Sequence, residues 1–254
     1  MDTSRIRTKA EEVDGGWVIN GQKVWISNAQ NAQKILLLAR TSLRNEDKPL
    51  DGMTLFFTDV DRDRITVREI EKLGRSAIDS NELFIEGLEV GDDEVVGQVG
   101  QGFNFIDGLN SERIVVGLEG VGIGQAALEM AAKYGNERVV FDRPIGQNQA
   151  VAHSLADSWI RLESARLTAM HAAELYDDHQ KCGIQAAAAK YLGAEAGFDA
   201  CDRAMSTHGG YAYAKEYHVE RLWREARLLR NAPLSQEMVL NYITTQALQL
   251  PRAY

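Results

Sequence analysis

The chain has 254 residues, with 28 Lys and Arg against 37 Asp and Glu, and 44% of its residues are hydrophobic. This length allows one large domain or two small ones, and the ordinary hydrophobic and charged fractions exclude a disordered chain. The net charge of −9 argues against nucleic acid as a partner, because no basic excess is present to displace phosphate counterions.

The cysteine content and the apolar runs indicate the cellular compartment of the protein and whether it enters a membrane. Cys182 and Cys201 are too few for a disulfide framework, so we expect a reducing, cytoplasmic environment. Residues 1–5 lead into polar sequence rather than into the apolar run of a secretory signal. The longest apolar run, residues 114–132, carries two glutamates and four glycines. We therefore expect a soluble protein with no membrane partner.

Residues 1 to about 100 predict strands separated by turns. Apolar and aromatic runs on both sides of Asn20-Gly21 indicate a hairpin with its turn at these two residues. An exposed loop is expected over residues 41–52. Further strands are predicted at residues 35–39, 53–58 and 65–67, and as two strands within 82–96 broken by Gly87 and Gly91. So many short strands favour a small antiparallel barrel or sandwich.

From Phe103 onward the apolar spacing is helical. It predicts one long helix through residues 151–162 and a second over 184–204, which Gly209-Gly210 ends. A last helix is predicted from about Leu234 to Leu248, with Pro233 at its start. Four or five helices with short connections indicate an antiparallel four-helix bundle. The fold class is therefore α+β, with a β domain over residues 1–100 and a helical bundle over 101–254.

A glycine-rich run in this second half allows two interpretations. Residues 113–117 followed by Gly120, Gly122 and Gly124 resemble a dinucleotide-binding turn, but the spacing is G-x-G-x-G rather than G-x-G-x-x-G. No strand–helix alternation follows that could build a parallel sheet. The same run is compatible with one long buried helix whose small residues permit close packing, and we favour that interpretation.

Several strings, in order along nearly the whole chain, resemble the acyl-CoA dehydrogenase family. Residues 20–28 resemble its N-G-x-K-x-W-I-T-N hairpin, and residues 110–113 (NSER) resemble the start of its substrate-lining helix. Residues 138–141 with Gln149 resemble its R-x-x-F-G…Q segment. Residues 208–211, 219–221 and 224–227 resemble its G-G-x-G…V-E-R…R-D-A-K stretch.

The resemblance implies a small β domain and a four-helix bundle, ordinarily preceded by another helical domain. This chain begins inside the family's T-E-P-x-x-G-S-D segment, with Asp2 where the last Asp of that motif falls. The expected activity is FAD-dependent conversion of an acyl-CoA thioester to its trans-2-enoyl product. It is expected of this chain alone or with a partner that supplies the missing N-terminal domain. The alternative is a non-catalytic relative that serves as a structural subunit of a flavoprotein oligomer.

The resemblance also assigns flavin contacts. Trp25 would pack against the flavin with Ile26 beside it, and the Ser27 hydroxyl would bond toward the flavin N5, where the family usually has Thr. From periodicity alone we would favour a core aromatic residue of a hairpin at Trp25, and only the surrounding family-like string reverses that interpretation.

Further cofactor positions follow from the same resemblance. Those that would hold the adenosine and diphosphate of FAD are Arg138, Phe141, Gln149, Ser206, Gly209, Gly210, Ser235 and Glu237. Asp142 departs from the family's Gly, and Ser206 departs from its Gln. Arg138 could instead pair with Glu137 or Asp142 on the bundle surface, and His208 could contact phosphate or cap its helix.

The catalytic base is identified by comparing two family locations. At the first, Pro233 stands where the family's Y-E-G-T segment carries Glu, and proline cannot transfer a proton. At the second, the residue before the helix arginine is Glu112, which becomes the expected base, with Asn110 and Arg113 near the substrate. The other interpretation of Glu112 is a solvated acid in the first turn of a helix.

Partners are implied in the same way. We expect an acyl-CoA substrate, an electron-transferring flavoprotein as electron acceptor, and a homo-oligomer (dimer or tetramer) or hetero-oligomer. Oxidase or desulfinase chemistry on the same flavin remains an alternative. No metal is expected, because the histidines show no pairing at metal-ligand spacing.

Overall fold

The computed structural model describes residues 3–251, with only the backbone of residues 105–108, so Asp2 lies outside the described residues. The chain divides into two compact units, Met1–Asp107 and Gly108–Tyr254. We call them the β unit and the helical unit.

From Thr3 onward, the strands of the β unit form one seven-stranded sheet in the order β5-β6-β2-β1-β3-β4-β7. Its strands are β1 (Lys9–Val13), β2 (Gly16–Ser27), β3 (Lys34–Arg40), β4 (Met53–Asp59), β5 (Ile65–Glu69), β6 (Ser80–Gly91) and β7 (Val95–Val96). Neighbouring strands are antiparallel except β1 and β3, which are parallel where Lys9 meets Arg40. The sheet is therefore mixed. The strands predicted around Asn20-Gly21 and at residues 35–39, 53–58 and 65–67 correspond to β2, β3, β4 and β5, and the prediction within 82–96 falls on β6 and β7.

Large side chains fill the core of the β unit. Alternate residues are buried along β3 and β6, as expected for strands with one buried face, whereas β4 is buried at four successive residues, 53–56. Ile19, Phe56 and Leu83 are fully buried, and the rings of Trp17 and Phe56 lie 5.9 Å apart, edge to face.

The predicted hairpin turn at Asn20-Gly21 is wrong, because β2 continues through both residues to Ser27. Glu86 and Gly87 of β6 lie opposite Asn20 as a β-bulge, and the Asn20 Oδ1 accepts a hydrogen bond of 2.7 Å from the Gly87 backbone N–H. Gly87 therefore does not break its strand, and β6 ends only at Gly91. The real turn lies at Asp14-Gly15 between β1 and β2, where Gly15 has a φ of +81°.

Among its described residues, the helical unit contains five α-helices and a short hairpin. In chain order they are α1 (Asn110–Glu137), the hairpin β8 (Val139–Val140) and β9 (Arg143–Pro144), α2 (Gln149–Asp177), α3 (Gly183–His208), α4 (Val219–Leu229) and α5 (Gln236–Gln246). The predicted α+β architecture is confirmed, and α3 ends at the predicted Gly209. The last helix begins at Gln236 rather than Leu234, because the Ser235 hydroxyl caps it by accepting a 3.4 Å bond from the Met238 N–H.

The glycine-rich run lies within α1, which confirms the prediction of one long helix. A Cβ added to Gly117 would lie 2.6 Å from the Ala189 carbonyl oxygen of α3, so only glycine permits this backbone approach. Gly117 approaches Ala189 and Gly124 approaches Gly197, in the same order along both helices, so α1 and α3 run parallel. α2 packs against both. By length and composition α1 is the one helix of residues 3–251 that could cross a membrane. A core helix such as this one passes the same test.

Candidate functional site

Trp25 lies at a bulge near the end of β2. Lys23 pairs with Leu83 and Ile26 pairs with Asn81, so Val24 and Trp25 together oppose one residue of β6. Trp25 has a φ of +63°, which is rare for a bulky residue, and its side chain is 60% exposed. The bulge thus turns the indole away from the core of the β unit, so Trp25 is not a core residue of that unit.

Side-chain hydrogen bonds hold the chain next to Trp25. The buried Asn81 donates its Nδ2 to the Ile26 carbonyl at 3.0 Å and accepts from the Gln30 Nε2 at 3.1 Å. The carboxylate of Asp79 accepts from Asn81 and from the Gln30 backbone N–H. These bonds, that from Asn81 first, lower the pKa of Asp79. Ile26 is half-buried beside the core and Ser27 is exposed, so the predicted flavin residues lie on a fixed strand end.

Lys23 links β2 to β3 beside this strand end. β1 pairs with β2 only as far as Asn20, and beyond that point the Lys23 Nζ donates to the Leu38 carbonyl of β3 at 2.6 Å. Burial lowers the pKa of Lys23 to about 8. The bond links β2 to β3 where β1 no longer lies between them.

An open pocket of about 470 Å³ lies at the C-terminal end of α3 in the helical unit. It brings together three of the predicted FAD residues, Arg138, Gly209 and Gly210. The other lining residues are Tyr134, Val140, Ile145, Thr207, His208 and Tyr211. Neither tyrosine is among the predicted cofactor residues, although Tyr211 belongs to the family-like string 208–211. Chain folding brings Tyr134 there from α1 and Tyr211 from the segment after α3.

The chemistry of this pocket fits part of a dinucleotide. The Arg138 guanidinium lies 6.0 Å from the centre of the Tyr211 ring and has no carboxylate partner among the described residues. The alternative pairing of Arg138 with Glu137 or Asp142 is therefore not observed. An unpaired arginine suits a diphosphate, because its planar fork can donate two hydrogen bonds at once. The tyrosine rings offer flat surfaces for a heterocycle.

His208 is buried in the wall of the same pocket. Its ring lies 4.4 Å from the Tyr134 ring in a stacked arrangement, and its Nδ1 lies 2.8 Å from the Ala204 carbonyl oxygen, one turn back in α3. The cap at the end of α3 is instead the Gly209 N–H, which bonds to the Met205 and Ser206 carbonyls. His208 therefore lines the pocket with its ring and bonds back to its own helix, but it does not cap that helix.

Other predicted cofactor residues lie outside this lining. Phe141 and Asp142 form the two-residue turn between β8 and β9, with φ values of +54° and +62°. Both residues adopt the left-handed conformation that glycine favours, which Asp tolerates better than most residues. Gln149 is exposed at the first position of α2, and the exposed Ser206 donates its hydroxyl to the Asp202 carbonyl at 3.1 Å.

The predicted base lies in the first turn of α1. Glu112 is exposed and has no ion pair among the described residues. Next to it the Arg113 Nη1 donates to the Asn110 Oδ1 at 2.9 Å, and the guanidinium lies 5.5 Å from the centre of the Tyr242 ring of α5. The three residues predicted to act on substrate are therefore brought together, with Arg113 held on both sides.

The last predicted cofactor residues lie at the start of α5. Ser235 is the N-cap, and Glu237 follows in the first turn. Hydrogen bonds from its own backbone N–H and from the Ser235 hydroxyl lower the pKa of Glu237. Two buried side chains that the sequence did not single out, Lys190 and Gln236, lie directly behind this segment.

The described residues contain no group of three or more His, Cys, Asp or Glu side chains that could hold a metal ion. Cys182 and Cys201 are free and buried, and burial raises the pKa of Cys201 to about 12. A thiol with so high a pKa is not a nucleophile near neutrality.

Two family profiles match the chain. Residues 1–88 match the acyl-CoA dehydrogenase middle domain, and residues 100–248 match the acyl-CoA dehydrogenase C-terminal domain. Acyl-CoA dehydrogenase FadE12 of Mycobacterium tuberculosis (strain ATCC 25618 / H37Rv) is 36% identical over 256 residues, which cover 100% of this chain and 66% of that protein. A 3-(aryl)acrylate reductase of Clostridium sporogenes (strain ATCC 15579) is 31% identical over 230 residues, covering 90% of this chain and 60% of the relative.

A solved structure of an acyl-CoA dehydrogenase has the same fold as this chain. The glutaryl-coenzyme A dehydrogenase in its glutaryl-CoA complex superimposes with a TM-score of 0.90 at 32% identity, covering 98% of this chain and 63% of that one. The chain thus spans just under two thirds of the length of the proteins it matches. Because two consecutive family domains account for almost all its residues, the chain belongs to the acyl-CoA dehydrogenase family.

Proposed function

We propose that the chain takes part in FAD-dependent α,β-dehydrogenation of an acyl-CoA thioester, with Glu112 as the base that removes the α-proton. The observation that carries this proposal is the pair of candidate base positions. Glu112 is exposed and unpaired among the described residues, whereas the alternative position is occupied by Pro233. Only the first of these side chains can accept a proton.

The residues around Glu112 suit this role. Its carboxylate lies at the positive end of the α1 dipole, beside the fixed Arg113. Both features place positive charge close to the Glu112 carboxylate. Asn110 and Arg113 would then orient the thioester end of the substrate from the same helical turn.

The cofactor would be held at several of the positions described above. Arg138 with Gly209 and Gly210 would bind the diphosphate of FAD. Ser235 and Glu237 would contact FAD from the start of α5, and Trp25 would pack against the flavin ring. When bound, FAD supplies the acceptor for the hydride that leaves the β-carbon. The protein's own contribution is the base, the orientation of the substrate and the binding of the cofactor.

We propose an electron-transferring flavoprotein as the electron acceptor and a dimer or tetramer as the assembled state. In the family this region is preceded by a helical domain, and we propose that this domain, on the same or on a partner chain, completes the acyl site. The family membership supports these proposals. Gel filtration with light scattering tests the assembly.

The first experiment is the visible spectrum of the purified protein with added FAD, followed by anaerobic addition of acyl-CoA thioesters of different length and branching. We expect a flavin band that bleaches with at least one thioester. In Glu112→Gln the band should form normally but bleach at least about a hundredfold more slowly, because the general base is lost. Glu129→Gln, an exposed glutamate of the same helix, is the matched control and should bleach at the wild-type rate.

The results separate the alternatives. A wild-type protein that gains no flavin band would favour a non-catalytic structural subunit and contradict the proposal. Normal bleaching in Glu112→Gln would show that another group is the base. The Clostridium sporogenes relative bears the name of an acrylate reductase, so the reverse direction is a second candidate. Reoxidation of the reduced flavin by a 2-enoyl thioester tests it.

A further inference from the structure

Lys190 is a fully buried lysine of α3 whose side chain faces the connection between α4 and α5. Its Nζ donates to the Leu234 carbonyl at 2.6 Å and to the Gln236 Oε1 at 2.7 Å. Leu234 lies in the connection between α4 and α5, and Gln236 is the first residue of α5. We call residues 230–236 together the 230–236 loop. One ammonium group therefore links the loop to the middle of the bundle.

A second set of bonds joins the same loop to α3. The Gln236 Nε2 donates to the Glu195 Oε1 at 2.8 Å and to the Tyr191 carbonyl at 3.2 Å. At the other end of the loop, Arg230 Nε bonds to the same Glu195 oxygen at 2.8 Å. The Gln236 backbone N–H also donates to the Arg230 carbonyl at 3.3 Å, which closes the loop on itself. Every polar atom of the Gln236 amide is thus used.

Burial of this amine is unfavourable by itself. Burial lowers the pKa of Lys190 to about 8, against the attraction of Glu195 and Glu237. A methionine of similar length would fill the same space without removing a charge from water. A lysine here is therefore better explained by what it bonds to than by its contribution to packing. Hydrogen-bonded polar groups in a core fix one arrangement of the chain among several.

We propose that Lys190 is a positioning residue that fixes the 230–236 loop and, through it, Ser235 and Glu237 at the start of α5. The role of these two residues toward FAD rests on the proposed function, whereas the fixing of the loop does not. Lys190 touches neither substrate nor cofactor in this scheme. It acts through Leu234 and Gln236, which flank Ser235 on both sides.

The test is Lys190→Met in the full chain, with Lys133→Met on the exposed face of α1 as the matched control. Hydrogen–deuterium exchange should become at least about tenfold faster at the amides of residues 234–238, and should stay unchanged in α2. The dissociation constant for FAD, measured by quenching of flavin fluorescence, should rise about tenfold. The visible circular dichroism of bound flavin should change in Lys190→Met only.

A second variant keeps the test decisive if Lys190→Met does not fold. Gln236→Met removes one acceptor and the bonds to α3 but leaves the bond from Lys190 to Leu234, so it should change exchange and affinity in the same direction by less. Unchanged exchange at residues 234–238 in a folded Lys190→Met would overturn the proposal. Faster exchange with FAD affinity and flavin dichroism at the wild-type values would confine Lys190 to a structural role, which also contradicts it.

The positioning role of Lys190 and the proposed function can be overturned separately. If the wild-type protein binds no FAD, the proposed function fails, and the exchange experiment still decides whether Lys190 fixes the loop. If the wild type binds FAD and the exchange at the loop does not respond to Lys190→Met, the positioning role alone fails.

Discussion

The two units are stabilised by cores of opposite kinds. The core of the β unit consists of large residues such as Trp17, Ile19 and Phe56. The cores of the helical unit consist mainly of alanine, with glycines where α1 meets α3. The β unit therefore gains stability from the apolar area of each side chain, whereas the helical unit gains it from the close approach of two backbones. The β unit should therefore lose stability when side-chain atoms are removed from its core, and the helical unit when side-chain atoms are added to its cores.

The largest effect is expected from removing a large side chain in the β unit. Phe56→Ala deletes a fully buried ring that contacts Trp17, and we expect the free energy of unfolding to fall by about 3–5 kcal/mol. Urea unfolding followed by tryptophan fluorescence measures it. Phe57→Ala is the control, because its neighbouring ring is 49% exposed, and its cost should be below about 1 kcal/mol. Equal costs for both variants would contradict this description of the core.

The opposite substitution probes the helical unit. In Gly117→Ala the new methyl group would lie 2.6 Å from the Ala189 carbonyl oxygen and 2.8 Å from its carbon, so α1 and α3 must separate. We expect a loss of about 1–3 kcal/mol in the free energy of unfolding. Gly122→Ala lies on the same helix with no other atom within 4 Å of the new methyl group. It should gain up to about 1 kcal/mol from helix propensity, so opposite signs in the two variants are the decisive result.

The same contrast explains how much of the fold the sequence predicts. Short apolar and aromatic runs predict most strands of the β unit, because such runs are long enough for a buried strand and too short for a helix. The Asn20-Gly21 pair misleads, because its role depends on Gly87, 67 positions away, whose N–H bonds to the Asn20 side chain. The glycines of α1 are ambiguous for a similar reason, since only their partner α3 shows why side chains are excluded.

Each unit also contains a lysine whose pKa burial lowers to about 8, the partly buried Lys23 in the β unit and the fully buried Lys190 in the helical unit. In the unfolded chain both would keep their protons to a higher pH. The unfolded state therefore binds more protons between about pH 8 and the ordinary lysine pKa, and stability rises with pH in that window. From about pH 7 to about pH 9 we expect a gain on the order of 1 kcal/mol from Lys190, and less from the half-exposed Lys23.

Methionine variants assign this pH dependence to each unit. Lys190→Met should remove the larger part of the rise and Lys23→Met the smaller part, as measured by urea unfolding across the same pH range. Cys201 works in the opposite direction at higher pH, because its folded pKa is raised and the unfolded thiol ionises first. Measurements should therefore stop near pH 9. A rise that persists in the double variant would show that other groups cause it.

The candidate site is less predictable from sequence than the fold. Arg138 and Gly209 are recognised from short strings, and the structure brings them into one pocket, although they lie far apart in the chain. Tyr134, Lys190 and Gln236 carry no local signal, because an alanine-rich helix with one lysine looks the same whether that lysine is buried or solvated. Their roles depend on contacts between helices, which the periodicity of a single helix does not encode.

The smallest expected effect concerns Trp25, where the β unit departs from its own packing rule by exposing a large side chain in a left-handed conformation. Trp25→Asn places there a residue that tolerates this conformation, so the free energy of unfolding should rise by up to about 1 kcal/mol. The dissociation constant for FAD should increase at the same time, because the indole surface is lost. Val24→Asn, at the neighbouring exposed residue with an ordinary φ, should give no gain in stability. A stability loss in Trp25→Asn as large as that of a core variant would mean that the indole is an unrecognised part of the packing, rather than a strained group presented to a ligand.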